Sequence, residues 1–406
     1  MRYLFFRKYT LRKINKYVLI LLLILTCFNS CTLKQNGSKD DFTFIVAADW
    51  RYTTTEPYHS TEYFLGALEA IADVGKGAFM LSPGDVEPPS QSRALISQVL
   101  GADYPWYAVV GNHELEDPTY MDYLRQLNRG EKSLPNIVRK GPPGCEETTF
   151  SFDYGDCHFV VLNQYFNGES DMGTDGDVVP ELLAWLDKDL AANRKKFVFV
   201  AGHEPLLPIP DMHNGRLRKR GTALDKYPDN AFNFYQLLMK YGVNAYFNGH
   251  THNASIARIN GLWQVDIGHA RGIEDLYPEM IFQGISSIFT NGKETGMTRD
   301  QAVQKYFWKQ PYAIKKVLDY LELTNNVYYK ELADEPALKA LKFFFAKAEK
   351  MGDVRSEFFR TYWNNWDLSR STFMKIRIKG NNIFVDVYRN DAKGGPYSLV
   401  YTEKLQ

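Results

Sequence analysis

The chain has 406 residues, 45% of them hydrophobic, which is enough for one large domain or two ordinary ones with a sizeable core. Basic and acidic side chains balance at 48 each, yet residues 1–30 hold six basic residues and no acidic one, so the remainder carries 42 against 48. A mildly acidic body argues against binding nucleic acid through backbone charge, and no nucleic-acid partner is expected.

Residues 1–30 read as an address rather than as fold. A basic stretch precedes an apolar run over 17–28, whereas a bilayer span needs roughly 20 apolar residues. Phe28-Asn29-Ser30-Cys31 loosely matches a bacterial lipoprotein cleavage site. This predicts a signal peptide over 1–30, export to the bacterial cell envelope, membrane anchoring through a lipidated Cys31, and a polar tether over 31–41. An uncleaved N-terminal anchor is the alternative.

The apolar run over 42–48 suits a strand buried on both faces. Residues 60–74 place Phe64, Leu68 and Ile71 at helical spacing behind a Ser/Thr start, with Glu62 in the first turn. A strand is predicted at 78–81, a helix at 93–100, a strand at 106–110 and a hairpin over 149–154 and 157–163. Cys145 and Cys157 flank that hairpin out of register, which leaves a bridge and two buried free thiols both open. A helix over 179–192, a strand over 197–201, a helix over 232–241 and a strand over 245–248 follow. An antiparallel pair, 256–259 with 263–267, turns at Asn260-Gly261.

This order implies an α/β fold in which two packed mixed β-sheets are flanked by helices, a four-layer α/β/β/α sandwich, with the core over 42–272. Residues 273–370 change character. Helices at 306–323, 335–351 and 354–366 are predicted there as an insertion or cap whose aromatic rings pack on the core. Within 371–406, strands at 373–378, 382–388 and 397–401 are expected to extend the second sheet.

Five short polar clusters each end an apolar run: Asp49, Gly84-Asp85, Gly111-Asn112-His113-Glu114, Gly202-His203 and Gly249-His250-Thr251-His252. Asp, Asn and His bind divalent metals. Parallel α/β sheets gather strand ends at one edge, so side chains 200 positions apart can share one pocket. His-x-His at a strand end puts both rings on one face through the two-residue period. Any one cluster also reads as a turn or a surface loop; five in order point to a metal site.

The order of these clusters resembles the calcineurin-like metallophosphoesterases, dinuclear-metal hydrolases of phosphate esters, from about Phe42 to Gly272. The resemblance implies two divalent metal ions, with Asp85 bridging them. Asn112, His203 and His250 would complete the shell of the second ion, and Asp49 and His252 would belong to the first. A metal-bridging hydroxide would attack phosphorus while both ions flank the phosphate. Such a mixed N/O set suits Zn, Mn or Fe better than Ca or Mg. His113 would be the catalytic residue facing the leaving-group oxygen, as a cation or as a proton donor. The implied substrates are small-molecule phosphate esters: monoesters, diesters or pyrophosphates.

One departure stands out. Most members have Asp-x-His in the first cluster, whereas this chain reads Asp49-Trp50-Arg51, and a guanidinium has no lone pair to offer a metal. Purple acid phosphatases also lack that histidine and use a tyrosine three residues after the bridging aspartate; here that position is Pro88. Arg51 is expected either to contact the substrate phosphate, which its planar fork suits, or to pair with a carboxylate such as Glu87 or Glu114. His213 is a candidate substrate-binding residue on a loop with Arg216, Arg218, Lys219 and Arg220, for which a solvated basic loop is the plainer reading. His59, His158 and His269 match no ligand position, and His158 reads as a satisfied core histidine. The weakened first site leaves a rival reading, a non-catalytic binding protein with a degenerate metal site.

Overall fold

The computed structural model describes residues 41–52, 60–130, 133–208, 223–270, 336–352, 359–364, 371–390 and 396–406. The expected signal peptide, Cys31, most of the tether, His59, the loop bearing His213 and the helix expected at 306–323 lie outside the described residues.

Strands β1 (Phe42–Val46), β2 (Met80–Ser82) and β3 (Trp106–Ala108) are mutually parallel. On the other side of β1 lie three antiparallel strands, β12 (Thr372–Lys379), β13 (Asn382–Arg389) and β14 (Ser398–Lys404), giving a six-stranded mixed sheet. The C-terminal strands therefore extend the first sheet, where the sequence had suggested the second. β1 leaves a free edge that β12 fills from Phe42↔Ile378 to Val46↔Met374.

The second sheet has eight strands. Its centre is the parallel set β6 (Cys157–Val161), β7 (Phe197–Ala201), β8 (Ala245–Asn248) and β10 (Leu262–Asp266). Antiparallel β5 (Phe150–Tyr154) and β4 (Ile137–Lys140) extend one side; β9 (Ser255–Ile259) and β11 (Phe359–Asn364) extend the other. The β9–β10 hairpin turns at Asn260 and Gly261, with φ of 43° and 102°, the left-handed pair that a two-residue hairpin needs. β11 corrects the helix expected at 354–366. The segment Phe-Arg-Thr-Tyr-Trp-Asn is rich in aromatic and β-branched side chains, and β9 offers it an open ladder.

Two-residue alternation builds the layers. In β1, Phe44 and Val46 face the second sheet while Ile45 faces the helices; in β7, Phe197 and Phe199 face inward while Val198 and Val200 face out. The inter-sheet layer is an aromatic stack in which Phe44 lies 5.0 Å from Phe79 and 5.1 Å from Phe159 between ring centroids. Helices α1 (Ser60–Val74), α2 (Pro89–Leu100) and α3 (Pro118–Gln126) cover the first sheet. Helices α4 (Pro180–Ala192), α5 (Pro228–Lys240) and α6 (Pro336–Lys350) cover the second. The result is the expected sandwich of helices, two sheets and helices. Proline opens α2 through α5 within their first two positions, where its missing N–H has no helical partner to lose. Phe344 of α6 packs on Phe232 and Tyr235 of α5, at 5.4 and 5.9 Å, so this aromatic belongs to the core.

Cys145 and Cys157 are both free and buried. Cys157 points into the inter-sheet layer and Cys145 into the layer beneath α4, so the second sheet stands between them and a bridge is precluded.

His158 is tied at both ring nitrogens: Nδ1 to Asp153 Oδ1 at 2.7 Å and Nε2 to Asp189 Oδ2 at 2.9 Å. Asp189 also accepts from Ser151 and pairs with Arg139, and Lys195 lies 3.7 Å from Asp153. Burial alone would lower the His158 pKa, but the two carboxylates more than offset it and raise it above the usual histidine range. A raised folded pKa gives stability that is complete below the unfolded value and is lost as pH rises through the folded one. His158→Gln is therefore expected to cost about 2 kcal/mol, and more at pH about 5.5 than at about 8.5, read from thermal melts of both proteins. An equal deficit at both pH values would refute the doubly paired imidazolium.

Candidate metal centre

The polar clusters follow the carboxyl ends of β1, β2, β3, β7 and β8, where the parallel strands of both sheets open onto one edge. Four of the predicted ligands have left-handed backbone: Asp49, Asp85, His250 and His252, with φ of 56°, 54°, 68° and 59°. Non-glycine residues enter this region at a cost of about 1–2 kcal/mol each, so these turns are held by their surroundings. Glycines make the close approach possible. A Cβ on Gly249 would stand 2.1 Å from Asp49 Oδ2, and one on Gly111 would stand 2.3 Å from Asp85 Oδ1.

The left-handed turns also correct the two-residue expectation for His-x-His. β8 ends at Asn248, and the two rings diverge. His250 Nδ1 lies 3.1 Å from Asn112 Oδ1 and 3.2 Å from His203 Nε2, whereas His252 Nε2 lies 3.3 Å from Asp49 Oδ1.

Two groups of potential ligand atoms result. One atom each of Asp49, Asp85 and His252 lie within 4.8 Å of one another, and all three residues are buried. Beside them, His203 Nε2 lies 3.1 Å from Asn112 Oδ1 and 3.4 Å from Asp85 Oδ1. Asp85 thus belongs to both groups. His203 Nδ1 donates to the Pro83 carbonyl at 2.7 Å, which in the neutral ring makes Nε2 the accepting nitrogen. That lone pair faces a carbonyl oxygen, a carboxylate and a second imidazole. Converging acceptors of this kind fit a divalent cation, and the outer hydrogen bond to Pro83 is how metal-bound histidines are commonly oriented.

Electrostatics favour the same state. Burial would raise the Asp85 carboxyl, but His203, His113, the His113 N–H and Arg51 more than offset it and hold the group below its usual range. Glu114, quoted in the third cluster but given no role of its own there, is fully buried. It accepts from the backbone N–H of Asp85, Val86 and Gly111 at 3.0, 2.7 and 2.6 Å, clamping the second loop to the third. Burial, with the Glu87 and Asp85 charges, pushes its carboxyl well above the ordinary range. Thr251 is a second addition: its hydroxyl donates to Asp266 at 2.6 Å between the two histidines of the last cluster.

His113 sits at the rim, with Nε2 3.6 Å from Asp85 Oδ2 and Nδ1 2.5 Å from Glu116 Oε1. Arg51 takes the ion-pair alternative, with Nε 2.5 Å from Glu87 Oε1 and Nη2 3.5 Å from Glu116 Oε2; Glu114 is turned to the backbone instead. Burial and the Asp85 charge push the Glu87 carboxyl up to about 8 despite the guanidinium. His269 packs edge-on against His252 with centroids 5.9 Å apart.

The strand-end pocket and its ligand chemistry define a metal-dependent phosphoric ester hydrolase. The chain belongs to the calcineurin-like phosphoesterase family, whose sequence profile matches residues 42–254, more than half of its length. It is similar to the tartrate-resistant acid phosphatase type 5 of Rattus norvegicus, 26% identical over 250 residues that span 57% of this chain and 72% of that one. The Homo sapiens protein of the same name is 25% identical over 236 residues, spanning 54% and 69%. Among solved structures, a purple acid phosphatase from yellow lupin seeds superposes with a TM-score of 0.49 at 10% identity, covering 90% of this chain and 53% of the other. The family uses divalent metals, and the donors assembled here fit them.

Gly249→Ala is expected to displace Asp49 and lower metal affinity at least about tenfold, with far-UV circular dichroism unchanged. Metal content after equilibration against a limiting chelator checks this.

Proposed function

We propose that the phosphoester hydrolase activity runs through two divalent ions, Zn, Mn or Fe, and that the substrates are small-molecule phosphomonoesters or diesters. The observation that carries this is the pairing of two acceptor groups through one carboxylate, Asp85. Asp49 and His252 join it on one side, and Asn112, His203 and His250 on the other. Ions held there would supply Lewis acidity and a water of lowered pKa.

The chain's own residues do the rest. The His113 backbone N–H donates to Asp85 Oδ1 at 3.1 Å and favours the ionised carboxylate that two cations would share. Glu114 fixes the loops that carry Asp85 and Gly111, so the ligand geometry does not have to be assembled during turnover. His113 is more accessible than His203 or His252, with an 18% exposed side chain against 0% and 2%. A leaving group can reach it, which supports a role in stabilising or protonating the departing oxygen. Arg51 is partly exposed at the same rim, and one face of its fork is already engaged by Glu87 and Glu116. The monoesterase reading is supported by the named activity of the acid phosphatase relatives.

Purified protein is expected to hydrolyse nitrophenyl phosphate or its diester when supplied with Mn or Zn, and to lose at least about a thousandfold in kcat on Asp85→Ala or chelation. Metal binding without turnover on any phosphate ester would instead support a non-catalytic binding protein. Three protein ligands on the Asp49 side predict two metal equivalents of unequal affinity. Calorimetric titration checks this, and Arg51→His is expected to tighten the weaker one.

The basic and apolar segments of residues 1–30 support export, with acylation at Cys31. Cys31→Ser is then expected to shift the protein from the membrane to the soluble fraction of expressing cells, followed by immunoblot; an unchanged distribution refutes the anchor.

A further inference from the structure

β7 ends at Ala201, two residues before the candidate ligand His203, and side chains take over from the ladder there. The Gly202 N–H still donates to the Phe247 carbonyl at 3.1 Å, and the His203 carbonyl accepts from the Gly249 N–H at 3.0 Å. At the next residue both main-chain groups are held by side chains. The Glu204 N–H donates to Gln164 Oε1 at 2.7 Å, and the Glu204 carbonyl accepts from the Tyr246 hydroxyl at 2.5 Å. The two side chains are themselves joined, because Gln164 Nε2 donates to the Tyr246 oxygen at 2.8 Å. A backbone N–H only donates, so it fixes the amide oxygen on Glu204 and turns the NH2 group to the phenol. Gln164, Tyr246 and His203 are all fully buried, where a backbone group left unpaired would be costly. Gly202 makes room for the clamp: a Cβ there would stand 2.6 Å from both Gln164 Cδ and the Tyr246 oxygen. His203 is thus held from behind, while Nε2 stands 3.1 Å from Asn112 Oδ1 and 3.4 Å from Asp85 Oδ1.

We propose that Gln164 and Tyr246 are positioning residues for the second ion, seating His203 by gripping the backbone of the residue that follows it. The proposal rests on the two-ion reading above, in which His203 stands with Asn112 and His250. Neither side chain is a ligand in this account; both act through the loop. The clamp serves one side of the pair, so affinity there can be changed without touching Asp49 or His252.

The test is calorimetric titration of the whole protein with Mn. Tyr246→Phe removes one hydroxyl and keeps the ring edge-on to Phe234, at 5.4 Å between centroids. It is expected to weaken the tighter metal equivalent about tenfold while changing the other less than about twofold. Gln164→Leu should act in the same direction. Tyr235→Phe is the control for mere destabilisation, since it deletes a buried hydroxyl that accepts from Asn260 at 2.7 Å, and it should leave both equivalents in place. In a His203→Ala background, Tyr246→Phe should change metal affinity no further. In the metal-free protein, NMR should show the His203 Nδ1 proton, held by Pro83, exchanging slowly in the wild type and in Tyr235→Phe but faster in Tyr246→Phe. Equal weakening of both equivalents, the same effect from Tyr235→Phe, or added loss in the His203→Ala background would each overturn the clamp. If the wild type takes up fewer than two ions, the two-ion reading fails; the Nδ1 exchange still decides whether Gln164 and Tyr246 seat the ring.

Discussion

The structure is organised around lone pairs that face one another. Asp85 lies 3.4 Å from the Nε2 of His203, that nitrogen lies 3.1 Å from the Asn112 oxygen, and His250 closes the group. With the His203 Nδ1 proton committed to Pro83, its Nε2 accepts, and it faces the Asn112 oxygen and the Asp85 carboxylate in an arrangement that suits a cation. The surrounding chain accepts local costs to keep this arrangement: left-handed backbone at four candidate ligands, and glycines whose hydrogens alone fit against Asp49 and Asp85. Such costs persist only where a rigid frame over-determines the loops.

That frame is the inter-sheet layer. Phe44, Phe79, Phe159, Phe199 and Phe247 are almost completely buried and interlock across the two sheets. Phe44, Phe199 and Phe247 lie in β1, β7 and β8 and Phe79 adjoins β2, the strands followed by Asp49, His203, His250 and Asp85, so packing in the middle fixes where polar groups emerge at the edge. Backbone bonds stitch the loops above it, Asp49 N–H to the Gly84 carbonyl and Gly249 N–H to the His203 carbonyl, at 3.2 and 3.0 Å. Further out, the carboxyl oxygens of Glu114, Glu116 and Glu87 accept the contacts that hold the second and third loops and the rim.

Much of this was legible in the residues. Apolar-rich runs such as Phe42–Val46 and Phe197–Ala201 announce buried strands, and the polar cluster after each run marks where the candidate ligands stand. What sequence periodicity does not carry is direction after the strand has ended. His250 and His252 share a dipeptide spacing, but their rings go to different groups because the backbone has left the extended region. The role of Glu114 was hidden for a similar reason, since its partners are backbone N–H groups that no residue code displays. β11 was misread because Phe359, Tyr362 and Trp363 also fall at helical spacing, and only the open edge of β9 decides between the two. Helix α3, with just Met121 and Leu124 buried, and edge strand β4, with Val138 exposed, carry too little apolar pattern to announce themselves.

The pairing of β1 with β12 joins positions more than 300 apart, and the Trp263 indole donates to the Leu405 carbonyl at 2.9 Å to pin the last residues against the second sheet. During synthesis, β1 therefore leaves the ribosome long before its permanent neighbour exists. Until then an aromatic-rich edge stands bare, and the sheet can close only late, by a long-range and intrinsically slow step. Until β12 has been made the first sheet stays unfinished, an interval in which a chaperone meets an open edge rather than a closed sandwich.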